Sequence, residues 1–190
     1  MKIQNFIKEV IALNEKLLKD ETLTQNIQQA VDVIVECYQN NGKVLLCGNG
    51  GSAADAQHIA AELTGRFKID RKPLYAEALH CNTSYLTAVA NDYSFDKIYS
   101  RILESNSISG DVLIAISTSG NSANIVEACR AAKNNGLIVI GLVGEDGGKM
   151  NTLCDIMIKI PSKNTPRIQE SHIFIGHIIC ELVEKKLFEV

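Results

Sequence analysis

Long apolar runs, one-sided charge, paired cysteines and a phosphate-gripping lysine are all missing from this sequence. No run of about 18 apolar residues exists, so no membrane span is expected. The opening stretch MKIQNFIKEVIALNEKLLKD mixes lysine with glutamate and lacks the unbroken apolar centre of a secretion signal. The formal net charge is only -3 over 190 residues, which argues against nucleic acid as the main ligand. Six cysteines are present without a Cys-x-x-Cys pair. Cys37, Cys47, Cys129 and Cys180 sit inside apolar helix or strand patterns, while Cys81 and Cys154 stand alone. Free thiols in a cytoplasmic protein are therefore expected. No Gly-Lys-Ser/Thr follows a glycine-rich turn, which removes the P-loop nucleotide site. No linker or low-complexity tract interrupts the chain. Its 46% hydrophobic and 22% charged residues suit one domain, 1–190, with a sizeable core.

What is present is periodic. Ile3, Phe6, Ile7, Val10, Leu13, Leu17 and Leu18 recur at helical spacing, as do Ile27, Ala30, Val31, Ile34, Val35 and Tyr38. Asn40-Asn41-Gly42 stops the second helix. The first stripe is rich for a helix that precedes the sheet, so the helical pair 1–41 is expected to take part in oligomerisation. Apolar runs at 43–48, 75–79, 111–118, 137–143 and 156–160 read as buried strands, with helices between most of them. This pattern predicts an α/β fold, a three-layer αβα sandwich around a five-stranded parallel sheet of flavodoxin-like order. A long C-terminal helix is expected from Pro166 to Glu189, capped by Thr165.

Two of the turns echo one another. CGNGGSAADA and ISTSGNSANI each follow a strand, turn on Gly and Ser, and open a helix. Ligands of open α/β sheets bind beyond the carboxyl ends of the strands. Helix starts there offer free N–H groups to an anion, worth roughly 0.3–1 kcal/mol. The second turn adds the hydroxyls of Ser117, Thr118, Ser119 and Ser122, which suit a phosphate monoester. Each hydrogen bond to a charged group contributes about 1.5–3 kcal/mol. A plain N-cap turn is the simpler alternative. In the first turn, Gly48, Gly50 and Ala53 fit the dinucleotide fingerprint, with Asp70 downstream. That acid, however, falls in a loop before the second strand rather than at its end, which argues against a dinucleotide.

Past that turn lie Asp55, His58 and Glu62. His58 and Glu62 are four apart and share a helix face, which is half a metal site. An exposed hydrogen bond between them is the alternative. The last helix interrupts its apolar stripe with Gln169, His172 and His177, which are further functional candidates.

Taken together, CGNGGSAADAQHIAAEL with its following GRF, AVANDYSFDKIYSR, ISTSGNSANI and TPRIQESHIFIGHIICELVE resemble the phosphoheptose isomerases of the sugar-isomerase (SIS) fold family. The resemblance covers nearly the whole chain. Its one departure is Ala90, where glycine is expected before Asn-Asp. It implies isomerisation of sedoheptulose 7-phosphate to D-glycero-D-manno-heptose 7-phosphate through an enediol, the first step towards lipopolysaccharide heptose. It implies a sugar lined by Asn49, Gly50, Gly51, Ser52, Asn91 and Asp92, and a phosphate on Ser117, Thr118, Ser119 and Ser122. It implies one zinc per subunit on His58, Glu62, Gln169 and His177, with Glu62 and Gln169 also touching substrate. Glu62 is the expected base and His177 the expected acid. A homotetramer with active sites at subunit contacts is implied as well. Gln169 and His177 lie eight apart, about 12 Å on a straight helix, so a metal site shared between chains is expected. The rival readings are a non-catalytic binding protein, such as a replication-initiator-associating factor, and a sugar-phosphate-sensing regulator.

Overall fold

A computed structural model describes residues 2–188. Two helices lead, α1 (Ile3–Lys19) and α2 (Glu21–Gln39). Asp20 separates them, and its carboxylate accepts from the Leu23 N–H at 2.9 Å to cap α2. Then follow β1 (Val44–Gly48), α3 (Gly51–Thr64), β2 (Ala76–Ala78), α4 (Thr83–Asp92), α5 (Ile98–Asn106), β3 (Val112–Ser117), α6 (Ala123–Asn134), β4 (Ile138–Val143), β5 (Ile156–Lys159) and α7 (Thr165–Phe188). Short 3-10 turns at Phe95–Lys97 and Gly148–Thr152 complete the order.

All five strands are parallel, in the order β2-β1-β3-β4-β5. This is the expected flavodoxin-like sandwich. Alternation along the strands divides the core in two. Val44 and Leu46 of β1 pack with α2, α3 and α7, while Leu45 and Cys47 pack with α5 and α6 on the other face. Burying each large aliphatic side chain contributes roughly 1.5–3 kcal/mol. The order in which strands are added reverses between β1 and β3, so the turns after these strands flank the switch point, where such folds open a crevice.

Some boundaries differ from expectation. The second strand shrinks to Ala76–Ala78, because it is an edge strand paired on one side only. Helix α7 begins at Thr165, one residue early, so Thr165 lies inside the helix rather than capping it. The expected end at Glu189 lies outside the described residues. The cysteines carry no disulfide, and only Cys81 is exposed.

Candidate active site

The first turn leaves β1 at Gly48. A side chain there would meet the Ser52 carbonyl oxygen at 2.4 Å, so only glycine lets the backbone fold back this tightly. The turn closes with Ser52 N–H donating to Asn49 O at 3.0 Å and Ala53 N–H to Gly50 O at 3.1 Å. The second turn leaves β3 at Ser117. Its hydroxyl donates to that of Ser122 at 3.2 Å, and the Ser119 hydroxyl accepts from the Asn121 N–H at 3.1 Å. Ser122 precedes α6 but makes no side-chain cap, so the plain N-cap reading of its hydroxyl does not hold. A reciprocal amide pair joins the two turns. Asn49 and Asn124 each donate to the other at 2.8 Å.

Helices α3 and α7 run parallel in nearly constant register. Gln169 faces Gly51, Gly176 faces Ile59, His177 faces His58 and Glu184 faces Phe67, offsets of 117 to 119 residues. Their N-terminal ends, and that of α6, therefore lie on the side of the two turns. Their partial positive charge favours an anion there.

Further along, three side chains converge. His58 Nε2 lies 3.1 Å from Glu62 Oε1 and 3.4 Å from His177 Nε2. The ligand atoms of His58, Glu62 and His177 all fall within 4.8 Å of one another. Two ring nitrogens that face each other can share only one proton, so a cation between them satisfies both. Tetrahedral zinc with bonds of about 2.0–2.1 Å separates its ligands by roughly 3.3 Å, and N/O donors are among its usual ligands. The observed separations of 3.1 and 3.4 Å fit that edge. Nearby, Asp55 Oδ2 is buried without a partner. Burial pushes the Asp55 carboxyl pKa up, with His58 opposing.

The expected residues are placed as follows. His58, Glu62 and His177 assemble within one chain, so three of the four expected metal ligands meet without a partner subunit. Gln169 stands over Gly51, about two helical turns of α3 from His58, which resolves the eight-residue spacing: each residue of α7 meets its own level of α3. Ser52 and Ser117 are buried beside their turns, and Ser119 is exposed. Asn91 and Asp92 are exposed at the end of α4, bonded to each other at 2.9 Å. His172 is a core residue. It is fully buried, with Nε2 3.3 Å from Val143 O and Nδ1 unpartnered. Desolvation lowers its pKa to about 4, with Val143 opposing, so it is neutral there.

Sequence reasoning passed over Asn124, although the echo of the two turns pointed at it. It also passed over Tyr99, whose buried hydroxyl donates to Gly48 O beneath the first turn. No short motif marks that contact, because the two residues are 51 apart.

Comparison with known proteins follows the same lines. A family model described as SIS domain matches residues 5–144. A phosphoheptose isomerase of Aneurinibacillus thermoaerophilus is 54% identical over 98% of this chain and 94% of its own length. A solved phosphoheptose isomerase from Neisseria gonorrhoeae superposes with a TM-score of 0.90 at 42% identity, covering 96% of this chain and 97% of that one. Another, from Francisella tularensis, gives 0.92 at 35% identity over 96% of each chain.

Proposed function

The chain belongs to the phosphoheptose isomerases within the SIS-domain family, and from that membership we infer a division of labour among its residues. It is an enzyme, an aldose–ketose isomerase, and the identity to isomerases over its full length disfavours a purely partner-binding role. Its reaction converts sedoheptulose 7-phosphate to D-glycero-D-manno-heptose 7-phosphate through an enediol.

The observation that carries the assignment of roles is the convergence of His58, Glu62 and His177 on one face of the α3–α7 pair. The phosphate sits at the hydroxyl turn on Ser117, Thr118, Ser119 and Ser122, beside the helix starts. The sugar runs along the first turn past Asn49, Gly50, Gly51 and Ser52. The Asn49 amide is engaged by Asn124, so it orders the turn. Glu62 takes the proton from the carbon beside the carbonyl and returns it to the neighbouring carbon. His177 moves the accompanying proton between the two oxygens. Zinc held by His58, Glu62 and His177, one per subunit, would supply a Lewis acid that polarises the carbonyl and adjacent hydroxyl, and Gln169, two helical turns away in the same chain, would reach it only from a neighbouring subunit.

The test is an assay of ketose and aldose with Glu62→Gln. The side chain is three-quarters buried, yet the isostere keeps its volume and its hydrogen-bonding oxygen. Turnover should fall roughly 100-fold to 10,000-fold while the thermal melt stays close to wild type. Wild-type turnover would overturn the role of Glu62. A chelator arm, with zinc added back, tests the metal in the same assay.

The chain works as a homotetramer in the cytoplasm, with 1–41 at the contacts. Support comes from α1, which exposes Ile3, Phe6, Ile7, Ile11 and Leu18 while burying only Leu13 and Leu17. The exposed Asn91 and Asp92 reach substrate at such a contact. No described helix is long and apolar enough to cross a membrane.

A further inference from the structure

Seven residues beyond His177, on the same face of α7, lies Glu184. It is 4% exposed, and its carboxylate is fully engaged. Oε1 accepts from the Lys68 and Ile69 N–H groups at 2.9 and 3.2 Å. Oε2 accepts from the Phe67 N–H at 3.2 Å and from Arg71 Nε at 3.1 Å. Burial pushes its pKa up, but the three backbone donors and Arg71 outweigh burial and hold it below the ordinary carboxylate value.

The Arg71 side chain is 2% exposed, and its other nitrogens point back at α3. Nη2 donates to Glu62 O at 2.9 Å and Nη1 to Leu63 O at 2.8 Å. These carbonyls lie in the last turn of α3, where no later helical N–H remains to bond them. A cation at that end also complements the helix dipole. The same loop carries Phe67, whose ring centroid lies 5.7 Å from that of His177. One carboxylate thus fixes the loop that presses on His177 and, through Arg71, the backbone of Glu62.

We propose that Glu184, Arg71 and Phe67 are positioning residues for isomerisation, a clamp that sets Glu62 and His177 against each other without touching substrate. The proposal rests on the reading of those two residues as the proton-moving pair. A buried ion pair is weak evidence of added stability, because desolvation offsets its attraction. Alignment is a different matter, since a misplacement of about 1 Å costs on the order of 100-fold in rate.

The experiment measures kcat and KM for Phe67→Leu, Phe67→Tyr, Arg71→Lys and Glu184→Gln well below each variant's melting temperature. Glu62→Gln and His177→Gln serve as references, and zinc affinity is read by competition with a chromophoric chelator. Arg71→Lys keeps the charge but loses the planar fork. We expect kcat to fall about 10-fold to 100-fold for Arg71→Lys and Glu184→Gln, with KM within about twofold. Phe67→Leu leaves the ion pair intact and should lower kcat, while Phe67→Tyr, which keeps the ring, should restore it. Zinc affinity should weaken by roughly 10-fold in the Arg71 and Glu184 variants. Folded Phe67→Leu and Arg71→Lys with wild-type kcat and zinc affinity would overturn the clamp. Should the references themselves turn over normally, the reading of the proton-moving pair fails instead.

Discussion

His172 and His177 are five positions apart on one helix and have opposite fates. His177 reaches the surface beside His58, where its nitrogen meets another donor atom. His172 points into the core, where desolvation holds its pKa near about 4. That difference has a thermodynamic consequence. As pH falls through about 6.5 the unfolded chain takes up a proton at this residue, and the folded chain does not until about 4. The stability that neutral His172 contributes is complete above that window and is lost across it, an effect of about 3 kcal/mol. Urea melts from pH 7 to pH 4 should therefore show a steeper fall in midpoint for the wild type than for His172→Gln. Equal slopes would show that His172 is not held neutral.

The element that organises the site is the parallel α3–α7 pair, and its closeness depends on Gly176. A side chain there would meet Ile59 Cδ1 at 2.6 Å and Cγ1 at 2.8 Å. Both helices are fixed at their ends, α3 by its turn and by Arg71, so the contact has little room to open. Gly176→Ala gains up to about 1 kcal/mol in helix propensity. Overpacking costs roughly 1–3 kcal/mol. The net expectation is a lower melting temperature, with the double variant Gly176→Ala, Ile59→Val recovering only part of the loss, because Cδ1 is gone while a Cγ carbon still meets the new methyl. A melt of Gly176→Ala at or above wild type would mean that the helices separate freely. The same pair shows how far spacing can be read. His58 and Glu62 on one face were legible from four residues of α3. The meeting of His177 with His58 was not legible from spacing, because 119 residues separate them, and only the family resemblance implied it.

At the scale of the whole molecule, the sandwich buries both faces of its sheet within one chain, and α1 adds only Leu13 and Leu17 to that core. The apolar stripe was visible in sequence, and the structure leaves most of it uncovered. Exposed apolar residues at this density on one helix are the ground for the contact proposed above. Replacing Phe6 and Ile7 by Glu should therefore dissociate the proposed tetramer without unfolding the subunit, as read by sedimentation velocity alongside circular dichroism. Turnover should fall with assembly if Asn91 and Asp92 act across a contact. A single species of unchanged mass would exclude α1 from the interface.

By itself the sequence determined the two leading helices, the five strands and the long last helix, because hydrophobic period is a local property, but it did not resolve the stretch between β2 and β3 into α4 and α5. It determined the two turns as well, since glycine, serine and asparagine act on the backbone within a few residues. Tertiary structure alone decided the parallel register of α3 and α7, the Asn49–Asn124 pair and the hold of Glu184 on a distant loop. Those contacts join residues 75 to 119 positions apart. Such contacts are selected by the packing of helices on a twisted sheet, which no window of neighbouring residues contains.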